Sequence, residues 1–283
     1  MLNRAKGGAL AGVLFVLPGI VVMMLLSILY AGFGEIPVVA AVFYGIKAAV
    51  LAIVIEAVIR IGKRALRTEA QIALAALAFV GIFFFDAPFP LIIAAAGVAG
   101  FLGARAWPRQ FAPGGGHGKA ANVPDPVIPE DRLFAVRPTA ARAARISVLF
   151  AVVWLGPTFW ILATLGGEDV FARIGVFFSK LAVVTFGGAY SVLAYVAQQA
   201  VETYGWVTAG EMLDGLGLAE TTPGPLIMVT QFVGFLAAFR EPGSLTPMTA
   251  GILGGLLTTW ATFAPSFFLI FLGAPYIEAL RQN

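Results

Sequence analysis

The chain has 283 residues, 60% of them hydrophobic and 12% charged, with a formal net charge of +3 and a mean hydropathy of +0.92; a soluble domain carries about twice that share of charge. It has no cysteine and one histidine, His117, which excludes disulfides, thiolate catalysis and cysteine-held metals. Such a composition is that of an all-α polytopic membrane protein, and its Lys and Arg residues flank apolar runs, the pattern of cytoplasmic loops and not of a nucleic-acid surface.

Asn3-Arg4-Ala5-Lys6 precedes an apolar run from about Gly8 to Phe33. A signal peptide has an apolar region of only about 7–15 residues, so this run is read as a retained span, kinked at Pro18-Gly19. A second span is expected from Pro37 to Ile61. Within it Glu56 and Arg60 are four apart and can pair, whereas Lys47 lies about half a helical circumference from Glu56 and has no local partner. An unpaired ammonium in a membrane costs roughly 2.5–3.5 kcal/mol, so Lys47 should face a carboxylate on another helix such as Glu220, a water-filled cavity or a transported anion. After the basic loop Gly62–Arg67 come two short apolar runs, Ala70 to Phe85 and Phe89 to Ala106, expected as a tight or re-entrant hairpin about Asp86-Ala87-Pro88.

Residues 107–145 read as a cytoplasmic linker rich in Pro, Gly and Ala. Its Gly118-Lys119 pair is no phosphate-binding loop, since Pro113 stands where the first glycine belongs and Ala120 where a hydroxyl must hold magnesium. The chain then splits as 1–106, 107–145 and 146–283. The third segment opens with a span from Ile146 to Leu165 and the acidic turn Gly166–Asp169. A run from Val176 to Ala197 follows, interrupted at Thr185-Phe186-Gly187-Gly188, whose paired glycines allow either close helix packing or room for a ligand. Glu202 to Asp214, with Tyr204 and Trp206, reads as a short amphipathic piece at the water interface.

The next stretch, Leu218 to Pro225, is the candidate substrate site. Pro223, Gly224 and Pro225 should end one helix and start another at Leu226, capped by Thr221 or Thr222. A broken helix at membrane depth offers unpaired N–H groups and a positive dipole end to an anion, although a plain kink between packed helices has the same signature. Gln231 lies inside the continuing helix, which runs to about Phe239. A last run spans Pro247 to Leu272.

That last run resembles the first. A shift of 247 residues sets Gly7-Gly8 on Gly254-Gly255, Leu10 on Leu257, Pro18 on Pro265 and Leu25 on Leu272. The reading is about eight transmembrane or re-entrant helices in two incomplete repeats, and an odd span count between them makes the repeats inverted. Counterparts of Phe177–Pro247 would then lie before Met1, so the chain looks like the middle of a longer transporter. Basic residues put the N-terminus, the Lys63 loop and the linker in the cytoplasm.

Several stretches carry a resemblance to a known family. Thr185–Tyr190, Tyr204-Gly205-Trp206, Glu211–Leu216 and Ala219–Leu226 resemble the C-terminal half of the chromate ion transporter family, and Leu17-Pro18-Gly19 with Gly45–Val50 is similar to the later part of its N-terminal half. The family's first Phe-Gly-Gly and Pro-Gly-Pro elements, upstream of the Leu-Pro-Gly helix, have no counterpart here. The resemblance implies export of chromate, with sulfate as its tetrahedral dianionic analogue. An oxyanion would meet the backbone N–H groups from Gly224 to Ile227, the Thr221 and Thr222 hydroxyls and the Gly187-Gly188 backbone, with Lys47 supplying charge and Thr185, Glu220, Pro223, Pro225 and Gln231 nearby. No catalytic residue, metal or cofactor is expected, since no His lies in a predicted span. Partners are the oxyanion, the lipid bilayer and either a homo-oligomer or a missing transporter half. The alternative is a non-transporting fragment or subunit that needs that half.

Overall fold

The computed structural model describes residues 4–34, 36–85, 87–111, 139–184 and 189–281. Its regular structure is helical: α1 Arg4–Phe33, α2 Pro37–Ala65, α3 Glu69–Phe85, α4 Phe89–Ala106, α5 Pro108–Phe111, α6 Ala140–Leu165, α7 Val170–Val184, α8 Ala189–Ala197, a π-helical turn Gln198–Thr203, α9 Ala209–Thr221, a 3-10 turn Leu226–Met228, α10 Val229–Arg240 and α11 Pro247–Arg281. The segments Lys6–Phe33, Pro37–Lys63, Ala140–Leu165 and Pro247–Gly273 are long and apolar enough to cross a membrane, and Glu69–Phe85, Leu91–Ala106 and Leu226–Arg240 are shorter apolar helices. The chain is an all-α multi-pass membrane protein.

Local chemistry sets the boundaries. Pro37 opens α2 and Pro247 opens α11, at the position where a missing N–H costs least. The Thr139 hydroxyl accepts from Arg142 N and caps α6, so that helix starts six residues before the apolar run does. Gly166, at φ 85°, ends it. Asp169 Oδ1 accepts from Phe171 N at 2.9 Å, so the acidic turn is the cap of α7 and moves its start to Val170. Part of the expected linker is also helical, over Pro108–Phe111 and from Ala140 onward.

Chain contacts divide the molecule into two compact units, 1–50 with 128–283, and 51–127. In the second, α3 and α4 form the expected hairpin, the Phe111 ring covers Gly103 and Thr68 Oγ1 donates to Gln110 O at 2.8 Å. No described residue of α3 is buried; Phe79, Phe83, Phe84 and Phe85 are 61–76% exposed, the outward apolar surface that lipid covers.

The first unit is built around α10, in which every residue from Val229 to Ala238 is buried. Where α11 crosses it, a Cβ added to Gly254 would stand 2.5 Å from both Ala238 Cβ and Gly234 O, so the two backbones approach as closely as small residues allow. Thr258 Oγ1 donates to Gly254 O at 2.8 Å. Gln231, fully buried, ties three helices together: its Nε2 donates to Ile20 O of α1 at 3.0 Å and its Oε1 accepts from Thr259 Oγ1 of α11 at 3.0 Å. A buried amide satisfied at both ends fixes helix register as well as holding the core.

Candidate functional site

The helix break stands where the sequence places it, between α9 and the turn at Leu226, but its chemistry differs from expectation. Thr221 Oγ1 donates to Gly217 O and Leu218 O, at 3.1 and 3.0 Å, and Thr222 Oγ1 donates to Ala219 O at 3.0 Å. Both hydroxyls thus serve the C-terminal carbonyls of α9, the orphan acceptors of a helix end, and neither caps the following turn. Pro225 stands at that cap with no side-chain hydrogen bond. Gly224 has φ 147°, and a Cβ there would lie 3.2 Å from Gly19 Cα. The break is therefore seated directly on the Pro18-Gly19 stretch of α1. Thr185, Gly187 and Gly188 lie outside the described residues.

Lys47 finds its partner elsewhere. Its Nζ lies 3.1 Å from Asp214 Oδ1, so the carboxylate on another helix is Asp214 and not Glu220, which sits half-buried at the end of α9. Glycines create the approach: a Cβ on Gly217 would stand 2.6 Å from Val50 Cγ2 and 2.9 Å from Ile46 Cγ2, and one on Gly215 would stand 2.5 Å from Phe232 Cδ1. Small residues on two faces let α9 nest between α2 and α10, and Asp214, one residue before that pair, is carried inward to 5% exposure. The Glu202–Asp214 segment has two faces: Glu202, Thr203, Gly205, Thr208, Ala209 and Gly210 are exposed, while Trp206, Val207, Met212 and Asp214 are buried. Trp206 is 2% exposed, and α9 is opened by a capping box in which Glu211 N donates to Thr208 Oγ1 and Thr208 N donates to Glu211 Oε2.

Tyr30 completes the cluster. Its hydroxyl donates to Asp214 Oδ2 at 2.9 Å, and its ring stands edge-on between Phe43 of α2 and Phe232 of α10. Asp214 Oδ1, by contrast, accepts no aligned hydrogen bond; its contact with Lys47 is an ion pair only. A second pair sits close by, Arg240 Nη2 with Glu211 Oε1 at 2.5 Å, while Arg240 Nη1 donates to Trp206 O at 2.6 Å. Burial raises the Glu211 carboxyl, but hydrogen bonds from Arg240 and Thr208 outweigh it and hold the group below its ordinary value. Tyr30, Tyr44, Lys47, Glu211, Asp214 and Arg240 all line one cavity of about 1000 Å3.

Lys47 and the break are separate places. Gly19, under the break, is eleven residues before Tyr30, about 16 Å along α1, and Thr222 is eight residues beyond Asp214, about 12 Å along α9. Gln231 is engaged at both ends by α1 and α11. Sequence reasoning missed Tyr30, Asp214, Glu211 and Arg240 as site residues. The Thr208-x-x-Glu211 pattern was a readable capping signal, but nothing local announces that Lys47 and Asp214 meet.

The comparisons with known proteins agree with the fold. The family model described as Chromate transporter matches residues 1–101 and 172–283. A chromate transport protein of Pseudomonas aeruginosa is 30% identical over 288 residues, covering 99% of this chain and 59% of the relative. One from Cupriavidus metallidurans is 26% identical, covering 97% and 58%, and an uncharacterized transporter of Methanocaldococcus jannaschii is 22% identical, covering 100% and 61%. The chain thus spans about three fifths of the length of these relatives. No solved structure matches. With a family match over most of its length and a helical, multi-pass fold around a cavity edged with charge, the chain belongs to the chromate transporter family.

Proposed function

We propose that this protein moves chromate outward across a bacterial inner membrane, with sulfate as a competing dianion of the same shape. The observation that carries the reading is Lys47, an ammonium on a helix long enough to span, at the wall of a cavity of about 1000 Å3, in a chain of this family. A cation that is 36% exposed in such a position is a first contact for an oxyanion. The N–H groups that open the uncapped turn at Leu226 offer a second set of donors where α9 and α10 part. In this reading the N-terminus and residues 107–145 face the cytoplasm, as the distribution of Lys and Arg suggests.

No pump is required. One charge crossing 100 mV is worth about 2.3 kcal/mol, so a dianion leaving a negative interior gains about 4.6 kcal/mol. At roughly 1.4 kcal/mol per tenfold, that sustains a gradient of about a thousandfold.

The test is chromate accumulation in sensitive bacteria carrying this chain, empty vector or the Lys47→Gln variant, with membrane expression measured in each. Lower accumulation for the chain, lost in the variant, is expected. About two fifths of each matched relative has no counterpart here, so one arm co-expresses the part of the Pseudomonas relative that this chain does not match. If this arm alone lowers accumulation, the chain is a subunit that needs that half. Well-expressed protein with no effect in either arm would refute chromate transport.

A further inference from the structure

We propose that Asp214 is an internal stand-in for the oxyanion: it holds Lys47 while the cavity is empty of anion, is displaced when an anion binds, and takes up a proton as it is released. The inference rests on the reading of the cavity as an anion site and goes beyond it by coupling that site to protons.

Three observations support it. Asp214 is 95% buried by its 5% exposure, yet its Oδ1 accepts no hydrogen bond and meets Lys47 Nζ at 3.1 Å without alignment. A buried carboxylate normally has its lone pairs filled. Its partners, an ammonium held as an ion pair and the Tyr30 hydroxyl that donates to Oδ2, are groups that a tetrahedral oxyanion also takes. Finally, the cavity is wide enough for a solvated anion, since water takes up about 30 Å3 per molecule against a volume of about 1000 Å3.

The linkage follows from charge. The groups facing Asp214 or the cavity are Tyr30 on α1, Tyr44 and Lys47 on α2, Glu211 on α9 and Arg240 on α10. Glu211 and Arg240 neutralise one another, with Thr208 N also donating to Glu211 and Arg240 also donating to Trp206 O. Asp214 is balanced by Lys47. When a dianion takes the ammonium, a buried carboxylate is left beside added negative charge, and both desolvation and repulsion favour its protonated form. The step is COO⁻ plus one proton giving COOH, with the Lys47 ion pair transferred to the oxyanion. Protonating Asp214 first must strengthen anion binding by the same factor.

The experiment titrates sulfate into the purified full chain in detergent by calorimetry, from neutral to mildly acidic pH and in two buffers of different ionisation enthalpy. Sulfate is the probe because it keeps its charge across that range. Expected is uptake of close to one proton per sulfate, with affinity rising up to about tenfold per unit fall in pH. Asp214→Asn binds tightly with no pH dependence, and Lys47→Gln loses binding. Wild-type binding without proton uptake, or Asp214→Asn keeping the wild-type slope, overturns the role of Asp214 and leaves the anion site standing. If neither wild type nor Asp214→Asn binds sulfate or chromate, the anion site itself falls, and this inference with it.

Discussion

The crossing of α10 and α11 makes a quantitative demand on one residue, Gly254. Its missing Cβ would occupy a point 2.5 Å from Ala238 Cβ and 2.5 Å from Gly234 O, whereas carbon atoms pack at about 3.5 Å or more. Gly254→Ala must therefore drive the helices apart by about 1 Å at the contact. Because α10 is buried on every side, no face can give way into solvent. A gap of that size forfeits a quarter to a half of each atom pair's attraction around it, and overpacking of this kind costs roughly 1–3 kcal/mol. The control is Gly45→Ala, where nothing lies within 4 Å and alanine favours the helix by up to about 1 kcal/mol. Thermal unfolding of both variants in detergent should show Gly254→Ala melting several degrees below wild type and Gly45→Ala at or above it. A Gly254→Ala protein as stable as wild type would refute the packing argument.

Three further outcomes are expected. Lys47→Met should cost more than Asp214→Asn, on the order of 3 kcal/mol against about 1, because the first strands a carboxylate side chain 7% exposed and the second leaves an ammonium 36% exposed; equal melting temperatures would contradict this. Gly224→Leu should fail to give monodisperse protein on gel filtration, since φ 147° and the 3.2 Å approach to Gly19 leave no room for a side chain, and a wild-type elution profile and yield would count against that reading. Transport lost in this variant therefore reports on folding and not on substrate contact. The Glu211–Arg240 pair contributes stability that is full above the ordinary glutamate value of 4.5 and fades as pH falls through the lower folded value, so the gap in stability between wild type and Glu211→Gln should shrink on acidification; a gap that widens would show the sign to be wrong.

Apolar runs and prolines made most helices readable. The ends of α3 and α4, the start of α2 at Pro37 and the break before Leu226 all follow from span length and missing N–H groups. What misled were polar residues in unfamiliar company. Asp214, at the end of a polar stretch, gave no sign of burial, but Gly215 and Gly217 let neighbouring helices close around it. The hydroxyls of Thr221 and Thr222 faced two demands, the helix ending and the turn beginning, and the nearer carbonyls won. The partner of Lys47 was legible as a type, a carboxylate on another helix, but not as a position. Periodicity within one helix carries no information about which residue of a distant helix lies opposite.

Gln231 has a consequence for exchanging parts between relatives. Its amide grips α1 through the Ile20 carbonyl, a group that every amino acid carries, while on α11 it depends on the Thr259 hydroxyl. At this one contact the first helix is thus recognised by depth and rotation, not by residue type. A transplanted α1 keeps this bond whatever residue stands at position 20, although it must still bring the small residue at Gly19 and the hydroxyl of Tyr30, whereas a transplanted α11 must bring a hydroxyl of its own.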